Sequence, residues 1–141
     1  MIVIIRIHGL VDISGDVEET LSRLRLRRKY ACVIARENKS INDILKKIKN
    51  FVAYGKIEEK TFIELVKKRG QLIKKDGKID AEKIVSEFIN SKTNKKLSDF
   101  GIKDFFRLHP PRKGINSKLH FPRGVLGDNK EKINDLIMRM L

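Results

Sequence analysis

"IVIIRI", residues 2–7, is the stretch that decides the fold. β-Branched residues dominate this apolar run, and a short run of that kind predicts a buried β-strand. Two further runs, "YACVIARE" (residues 30–37) and "FVAYGKI" (residues 51–57), have the same character. The beginning of the chain therefore predicts three strands.

Two helices are predicted between these strands. Asp16 and Glu19 have the spacing of a capping box, which predicts that the first helix begins there. Ser40 is expected to cap the second helix. Apolar residues recur at helical spacing in both, namely Val17, Leu21 and Leu24 in the first and Ile41, Ile44, Leu45 and Ile48 in the second.

The order βαβαβ predicts an α+β fold in which helices lie on a small sheet. We expect the apolar sides of the two helices to pack on this sheet. The helix residues are Leu21, Leu24, Ile44 and Ile48, and the sheet contains Val3, Ile5, Val33 and Val52.

Helical spacing continues beyond the third strand. A helix is predicted over residues 58–69, and Asp80 is expected to cap another. The stretch "DFFRLH", residues 104–109, is a candidate for a short fourth strand. A terminal helix is expected to start at Asp128 or Asn129.

This pattern divides the chain into three parts within one structural domain. They are a βαβαβ core (residues 1–57), a helical insertion (residues 58–103) and a C-terminal segment (residues 104–141) that combines an extended loop with a helix.

The charge balance indicates the kind of partner. The chain has 141 residues, with 32 Lys and Arg against 18 Asp and Glu, so its formal net charge is +14. Such a positive field favours polyanions. No apolar run approaches the roughly 18 residues that a membrane span needs, and no signal peptide is indicated. We therefore expect a cytoplasmic protein without a membrane partner.

The residues that carry most enzymatic chemistry are sparse. The single cysteine, Cys32, lies in an apolar run and is expected to be a buried thiol. Three scattered histidines do not have the spacing of zinc ligands, and no phosphate-binding loop is present. We expect neither enzyme activity, nor a cofactor or metal, nor a small-molecule substrate. A nuclease that uses His109 or His120 is the enzymatic alternative.

Two stretches are basic and lack acids. "RLRLRRK", residues 23–29, has more cations than the end of a helix requires, so it favours phosphate contact. The longer stretch, residues 105–127, contains all three prolines of the chain. We expect Pro110 and Pro111 to fix an extended path that gains its order from a nucleic acid. A solvated loop stiffened by proline is the other interpretation.

Three sequence motifs resemble a known family. "FRLHPPRKG" (residues 106–114), with the downstream "FPRG" and "LG", is the most specific of them. "RIHGLVDISGDVEETLSRLRLRRKYACVIARE" (residues 6–37) and "INDILKKIKNFVAYGKI" (residues 41–57) extend the likeness over the core. The chain resembles the large-subunit ribosomal protein family number thirty, in its longer archaeal form. The eukaryotic relative is the large-subunit protein numbered seven.

The resemblance implies a ferredoxin-like core with a three-stranded sheet in the order 3-1-2. It also implies a structural constituent of the large ribosomal subunit that binds large-subunit rRNA near the 5S rRNA, beside other large-subunit proteins. His109 and Phe121 are expected to stack on bases or sugars. The expected RNA-binding residues are Arg6, His8, Arg23, Arg25, Arg27, Arg28, Lys29, Arg107, His109, Arg112, Lys113, Lys118, His120, Phe121 and Arg123. A free RNA chaperone or translational regulator is the alternative function.

Overall fold

The computed structural model describes residues 1–115 and 117–141, and it confirms the α+β class. Position 116, within the proline-containing segment, lies outside the described residues. The strands are β1 (Ile2–Arg6), β2 (Ala31–Ala35), β3 (Val52–Lys56), β4 (Phe106–Arg107) and β5 (Gly127–Asp128). The four predicted strands are therefore present.

The helices agree with the predicted order. They are α1 (Gly15–Arg23), α2 (Lys39–Ile48), α3 (Glu59–Arg69), α4 (Ala81–Asn90) and α5 (Ile133–Met140), with short 3₁₀ turns at Leu97–Phe100 and Lys130–Lys132. Helix α3, at 11 residues, is the longest among the described residues. No helix in that part of the chain is long and apolar enough to cross a membrane.

The strands form one mixed sheet in the order β4-β2-β1-β3-β5. The three central strands have the 3-1-2 order, but the expectation of a three-stranded sheet is wrong. Strand β4 pairs antiparallel with β2, and β5 pairs parallel with β3. Strand β4 is the predicted fourth strand, whereas β5 was not predicted, because its two residues are too few to show a strand period in the sequence. The edges of the three-stranded sheet have unpaired backbone N–H and C=O groups, and β4 and β5 pair with these groups.

The central strand β1 is apolar on both faces because each face is covered. Ile2 and Ile4 point to the side where α1 and α2 pack, together with Val33 and Val52. Val3 and Ile5 point to the other side, where α3, α4 and α5 pack. Helices α1 and α2 therefore pack on the sheet that contains Val3 and Ile5, as predicted, but on the face opposite to these two side chains, because successive residues of a strand face opposite sides.

The helix starts differ from two predicted caps. Helix α1 begins after Ser14, two residues before Asp16, and no side chain caps it. Helix α2 is capped by Asn38, whose Oδ1 accepts a hydrogen bond from the Ile41 N–H at 2.8 Å, and not by Ser40. Asn38 is extended, with φ −150°, which is the backbone that a cap residue requires.

The last two helical segments begin where the sequence predicts. Asp80 caps α4. A 3₁₀ turn (Lys130–Lys132) follows Asn129 and runs directly into α5, which begins at Ile133. The buried Asn129 side chain donates to the carbonyls of Val125 and Gly127, at 2.6 and 3.1 Å, and so closes the turn that precedes the helix.

Helix α5 can lie close to β3 because Gly55 has no side chain. A Cβ at this position would lie 2.2 Å from the Lys130 carbonyl oxygen and 2.9 Å from the Ile133 side chain. From this close contact α5 runs back along the sheet, and its last residues reach the segment that follows β4.

Cys32 is fully buried within β2, as the sequence predicts. Burial raises the pKa of its thiol far above the ordinary value, so the thiol stays protonated and unreactive in the folded protein.

Leu21→Ala tests the core beneath α1. Leu21 is fully buried, so its truncation should lower the free energy of unfolding by about 2–5 kcal/mol. Urea denaturation followed by circular dichroism measures this loss. Leu10→Ala is the matched control, because Leu10 is 66% exposed and its loss should stay within about 0.5 kcal/mol. Equal losses in the two variants would remove this face of α1 from the core.

Candidate nucleic-acid interface

Strand directions bring the basic stretches to one end of the sheet. Strand β1 is antiparallel to both β2 and β3, so β1 ends where the other two begin. Strand β4 also ends there, because it is antiparallel to β2, and β5 begins there beside β3. We call this the basic end. It carries the segments that follow β1 and β4 and those that precede β2, β3 and β5.

The turn between α1 and β2 holds its cations in fixed positions. The Leu26 N–H donates to the Leu21 carbonyl at 2.8 Å, and the Arg25 N–H donates to the Ser22 carbonyl at 3.0 Å. This is a Schellman motif, with Arg25 at the left-handed position that glycine usually occupies (φ 64°). Leu26 is buried and the cations point outward, as "RLRLRRK" predicts.

Pairing of β4 with β2 completes a cleft at this end. In the register, Ala31 faces Arg107, so a cation from late in the chain joins the α1–β2 turn. The cleft has a volume of about 700 Å³. Its six cations are Arg23, Arg25, Arg27, Arg28, Lys29 and Arg107, and all six belong to the set that the sequence predicts.

Two of the six cations have acidic partners. Arg23 pairs with Glu19 at 2.5 Å, and Arg25 pairs with Asp104 at 3.5 Å. The other four form no ion pair with any of the described residues. The cleft therefore presents four uncompensated positive charges, on Arg27, Arg28, Lys29 and Arg107.

Arg6 is not at this surface, and its assignment as an RNA contact is wrong. Its side chain is 1% exposed, and its guanidinium donates to the carbonyls of His8 at 2.9 Å, Leu26 at 2.7 Å and Gly9 at 3.0 Å. Burial lowers the pKa of Arg6, and the charge of Glu18 acts in the opposite direction. Arg6 therefore ties the loop after β1 to the end of α1.

The start of the proline-containing segment is held by the chain itself, whereas the expectation that the segment gains its order from a nucleic acid stays a prediction. The His109 N–H donates to the Met140 carbonyl at 3.2 Å, and the Arg112 N–H donates to the Arg139 carbonyl at 3.0 Å. His109 Nε2 lies 2.7 Å from the backbone oxygen of Leu141. The last carbonyls of a helix lack partners within the helix, and this segment supplies donors to them.

The two remaining histidines lie near the start of β3. The His8 ring meets the Phe51 ring edge-on, with centroids 5.3 Å apart. His120 Nε2 lies 2.7 Å from Asn50 Oδ1. Phe121 contacts Lys132, whose Nζ is 5.6 Å from the ring centroid. Both histidines therefore have contacts within the fold, at the basic end.

Four predicted cations lie outside the cleft. All four are exposed, and none of them lines the cleft; they are Arg112, Lys113, Lys118 and Arg123. Arg112 lies beside the end of α5, and Arg123 belongs to the segment that leads into β5, at the opposite edge of the sheet from β4. The structure therefore divides the predicted site into a cleft and a separate exposed loop.

Sequence reasoning missed the four uncharged residues that line the cleft, which are Ser22, Ala31, Phe105 and Leu108, and Phe105 is the aromatic one among them. Its ring lines the cleft, with the Arg107 guanidinium 5.7 Å and Lys103 Nζ 6.0 Å from its centroid. The available signal was the pair of phenylalanines in "DFFRLH", because alternation along a strand turns only one of two neighbours inward.

Chemistry that needs a metal finds no support in the described residues. No group of three or more His, Cys, Asp or Glu side chains in residues 1–115 and 117–141 is placed to hold a metal ion. An α+β chain with a cleft lined by cations is typical of nucleic-acid-binding proteins.

Comparison with known proteins identifies the family. Residues 2–52 match the family model described as ribosomal protein L30p/L7e. The chain is 40% identical to "Large ribosomal subunit protein uL30" of Nanoarchaeum equitans, with 98% of this chain and 97% of the relative covered. The protein of the same name from Archaeoglobus fulgidus is 38% identical, with 99% of each chain covered.

The chain belongs to the uL30 (L30p/L7e) family of large-subunit ribosomal proteins. It is therefore a structural constituent of the large ribosomal subunit and not an enzyme, as the sequence predicts. Its relatives named here are archaeal, which agrees with the archaeal form that the motifs resemble.

Arg6→Lys tests the role of the buried guanidinium. Lysine keeps the charge but lacks the planar fork that reaches three carbonyls, so the variant should lose about 1–3 kcal/mol of unfolding free energy. Urea denaturation measures this loss. Arg27→Lys, at an exposed position, is the control and should change stability by less than about 0.5 kcal/mol. If Arg6→Lys matched the control, the three hydrogen bonds would not hold the basic end together.

Proposed function

We propose that the chain binds large-subunit rRNA through the cleft at its basic end. One observation carries this proposal: six cations surround one cleft, and four of them form no ion pair with any described residue. Uncompensated cations held at fixed positions are suited to the closely spaced phosphates of folded RNA.

Arginine supplies most of the contact. Three of the four uncompensated cations are arginines, and the planar guanidinium can donate two parallel hydrogen bonds to one phosphate. Because Leu26 and the Schellman turn hold the backbone, these side chains lose less freedom on binding than they would on a flexible tail.

The exposed loop serves as a second contact. Arg112, Lys113, Lys118 and Arg123 extend the positive surface beyond the cleft, and Phe121 offers an aromatic ring beside them. His8 and His120 contribute from the basic end as donors to phosphate or sugar oxygens. Both ring nitrogens of His109 lie against backbone oxygens, of Pro110 at 2.6 Å and of Leu141 at 2.7 Å, so His109 contributes the face of its ring.

The finer details that the resemblance implies belong to the same proposal. They are a position near the 5S rRNA, neighbouring large-subunit proteins and a cytoplasmic location. We also propose that β1, β2 and β3 with their helices form a ferredoxin-like core (residues 1–57), which the insertion (residues 58–103) and the C-terminal segment (residues 104–141) complete as one structural domain.

The experiment is a salt titration of binding to large-subunit rRNA fragments. Each neutralised phosphate should contribute about 0.7–0.9 to the slope of log affinity against log salt. Arg27→Ala with Arg28→Ala should weaken binding and lower this slope by about 1.5, while both side chains are exposed and the fold is unaffected. Fluorescence anisotropy measures the affinity.

Lys67→Ala with Lys68→Ala is the matched control. These two cations are exposed on α3, away from the cleft, and Lys68 pairs with Glu64 at 3.7 Å. This variant measures the effect of losing any two surface charges. If it weakened binding as much as the cleft variant, or if wild-type binding did not respond to salt, the proposed interface would be wrong.

Arg112→Ala with Lys113→Ala tests the exposed loop separately. If the loop grips RNA, this pair should weaken binding by more than the α3 control pair, because charge-assisted bonds to phosphate contribute more than general attraction. Arg112→Lys keeps the charge and loses the bidentate fork, so it should also weaken binding. Fluorescence anisotropy again measures the affinity. If the loop variant and the α3 variant lost the same affinity for RNA, the interface would consist of the cleft alone.

A further inference from the structure

The cleft has an apolar floor beneath its cations. Phe105, Ala31 and Leu108 line it together with the charged side chains. The cleft is open to solvent on one side, and at about 700 Å³ it has room for a group much larger than a phosphate. A phosphate group alone would leave most of this volume unfilled and would gain nothing from an aromatic surface.

Phe105 is placed to present its ring to a ligand. Its neighbour Phe106 is fully buried on the side of α3 and α5, so alternation turns Phe105 toward the side of α1. Phe105 packs partly against that second core and remains partly exposed. One part of the ring is therefore anchored, and the rest faces the cleft.

The backbone that carries Phe105 is held in place before any ligand arrives. Asp104 accepts a hydrogen bond from the Ser98 N–H at 2.8 Å through Oδ1 and lies 3.5 Å from Arg25 through Oδ2. On the other side, Cys32 faces Phe106 in the β2–β4 register. Because the backbone is held on both sides of Phe105, its ring loses little conformational freedom when a base stacks on it.

We propose that the cleft takes one unpaired nucleotide of RNA, with its base stacked on Phe105 and its flanking phosphates on Arg27, Arg28 and Arg107. This inference rests on the proposed function and specifies the RNA element involved. Bases within a duplex are stacked on one another and cannot reach the floor of the cleft, whereas a bulged or loop nucleotide can.

The cations around the ring are compatible with this arrangement. Arg107 and Lys103 are exposed, and neither forms an ion pair with the described residues, so either can move from the ring to a phosphate.

The test compares two hairpin RNAs that differ only at one bulged position. One carries an adenosine there and the other an abasic ribose, so both present the same phosphates. Wild-type protein should prefer the adenosine RNA by roughly 5- to 150-fold, the range expected for one base stacked on an aromatic ring. Fluorescence anisotropy over a range of salt concentrations gives affinity and salt slope together.

Three variants separate stacking from charge. Phe105→Leu keeps an apolar side chain against the core but removes the aromatic face, so it should abolish the preference and leave the salt slope unchanged. Phe105→Tyr should restore the preference. Arg27→Ala with Arg28→Ala should weaken binding of both RNAs and lower the slope while the preference persists.

The outcomes distinguish the two proposals. Equal wild-type affinity for the two hairpins, with a steep salt slope, would overturn the nucleotide pocket and leave phosphate binding in place. A preference that survives Phe105→Leu would also overturn it. Weak binding of both hairpins without a salt dependence would overturn the proposed function and this inference together. Circular dichroism confirms that each variant is folded.

Discussion

The basic end depends on one buried guanidinium. Arg6 lies on the central strand, and its three hydrogen bonds join the loop after β1 to the end of α1. Its backbone carbonyl also accepts the Tyr30 N–H at 2.7 Å, which fixes the start of β2. The bond to the Leu26 carbonyl is buried and those to His8 and Gly9 are partly buried, so the loss of Arg6 would leave the Leu26 carbonyl without this donor in the interior. The buried charge therefore sets the geometry from which the exposed charges project.

The cleft combines two kinds of constraint. Apolar packing fixes the backbone, since Leu26 is buried beneath the α1–β2 turn and Phe106 beneath β4. The cations then project from a rigid frame, even where the backbone is strained, as at Arg25, whose left-handed conformation costs roughly 1 kcal/mol. A basic segment held in this way can discriminate between RNA shapes, whereas a flexible basic tail responds mainly to charge density.

Local patterns account for what the sequence predicted correctly. Period-2 and period-3.6 spacings located the strands and helices, and a basic stretch with two leucines located the cations of the α1–β2 turn. These patterns failed where two nearby residues are both of a type that can cap a helix, and where a strand is apolar on both faces of the sheet. Asn38 took the cap that the sequence had assigned to Ser40, and β1 gave no sign of which face α1 would cover. In the sequence, Arg6 could not be distinguished from an arginine at the surface, because the sequence does not show which side chains are buried.

The sequence by itself determined the α+β class, the family and the strongly basic surface, since these follow from local spacing, shared motifs and composition. The tertiary structure alone decided that Arg107 joins Arg27 and Arg28, that Phe105 lines the same cleft and that residues 109–112 lie against the end of α5. The physical reason is common to all three. Each depends on backbone hydrogen bonds between residues far apart in the chain, and such pairing leaves no periodic pattern in either partner.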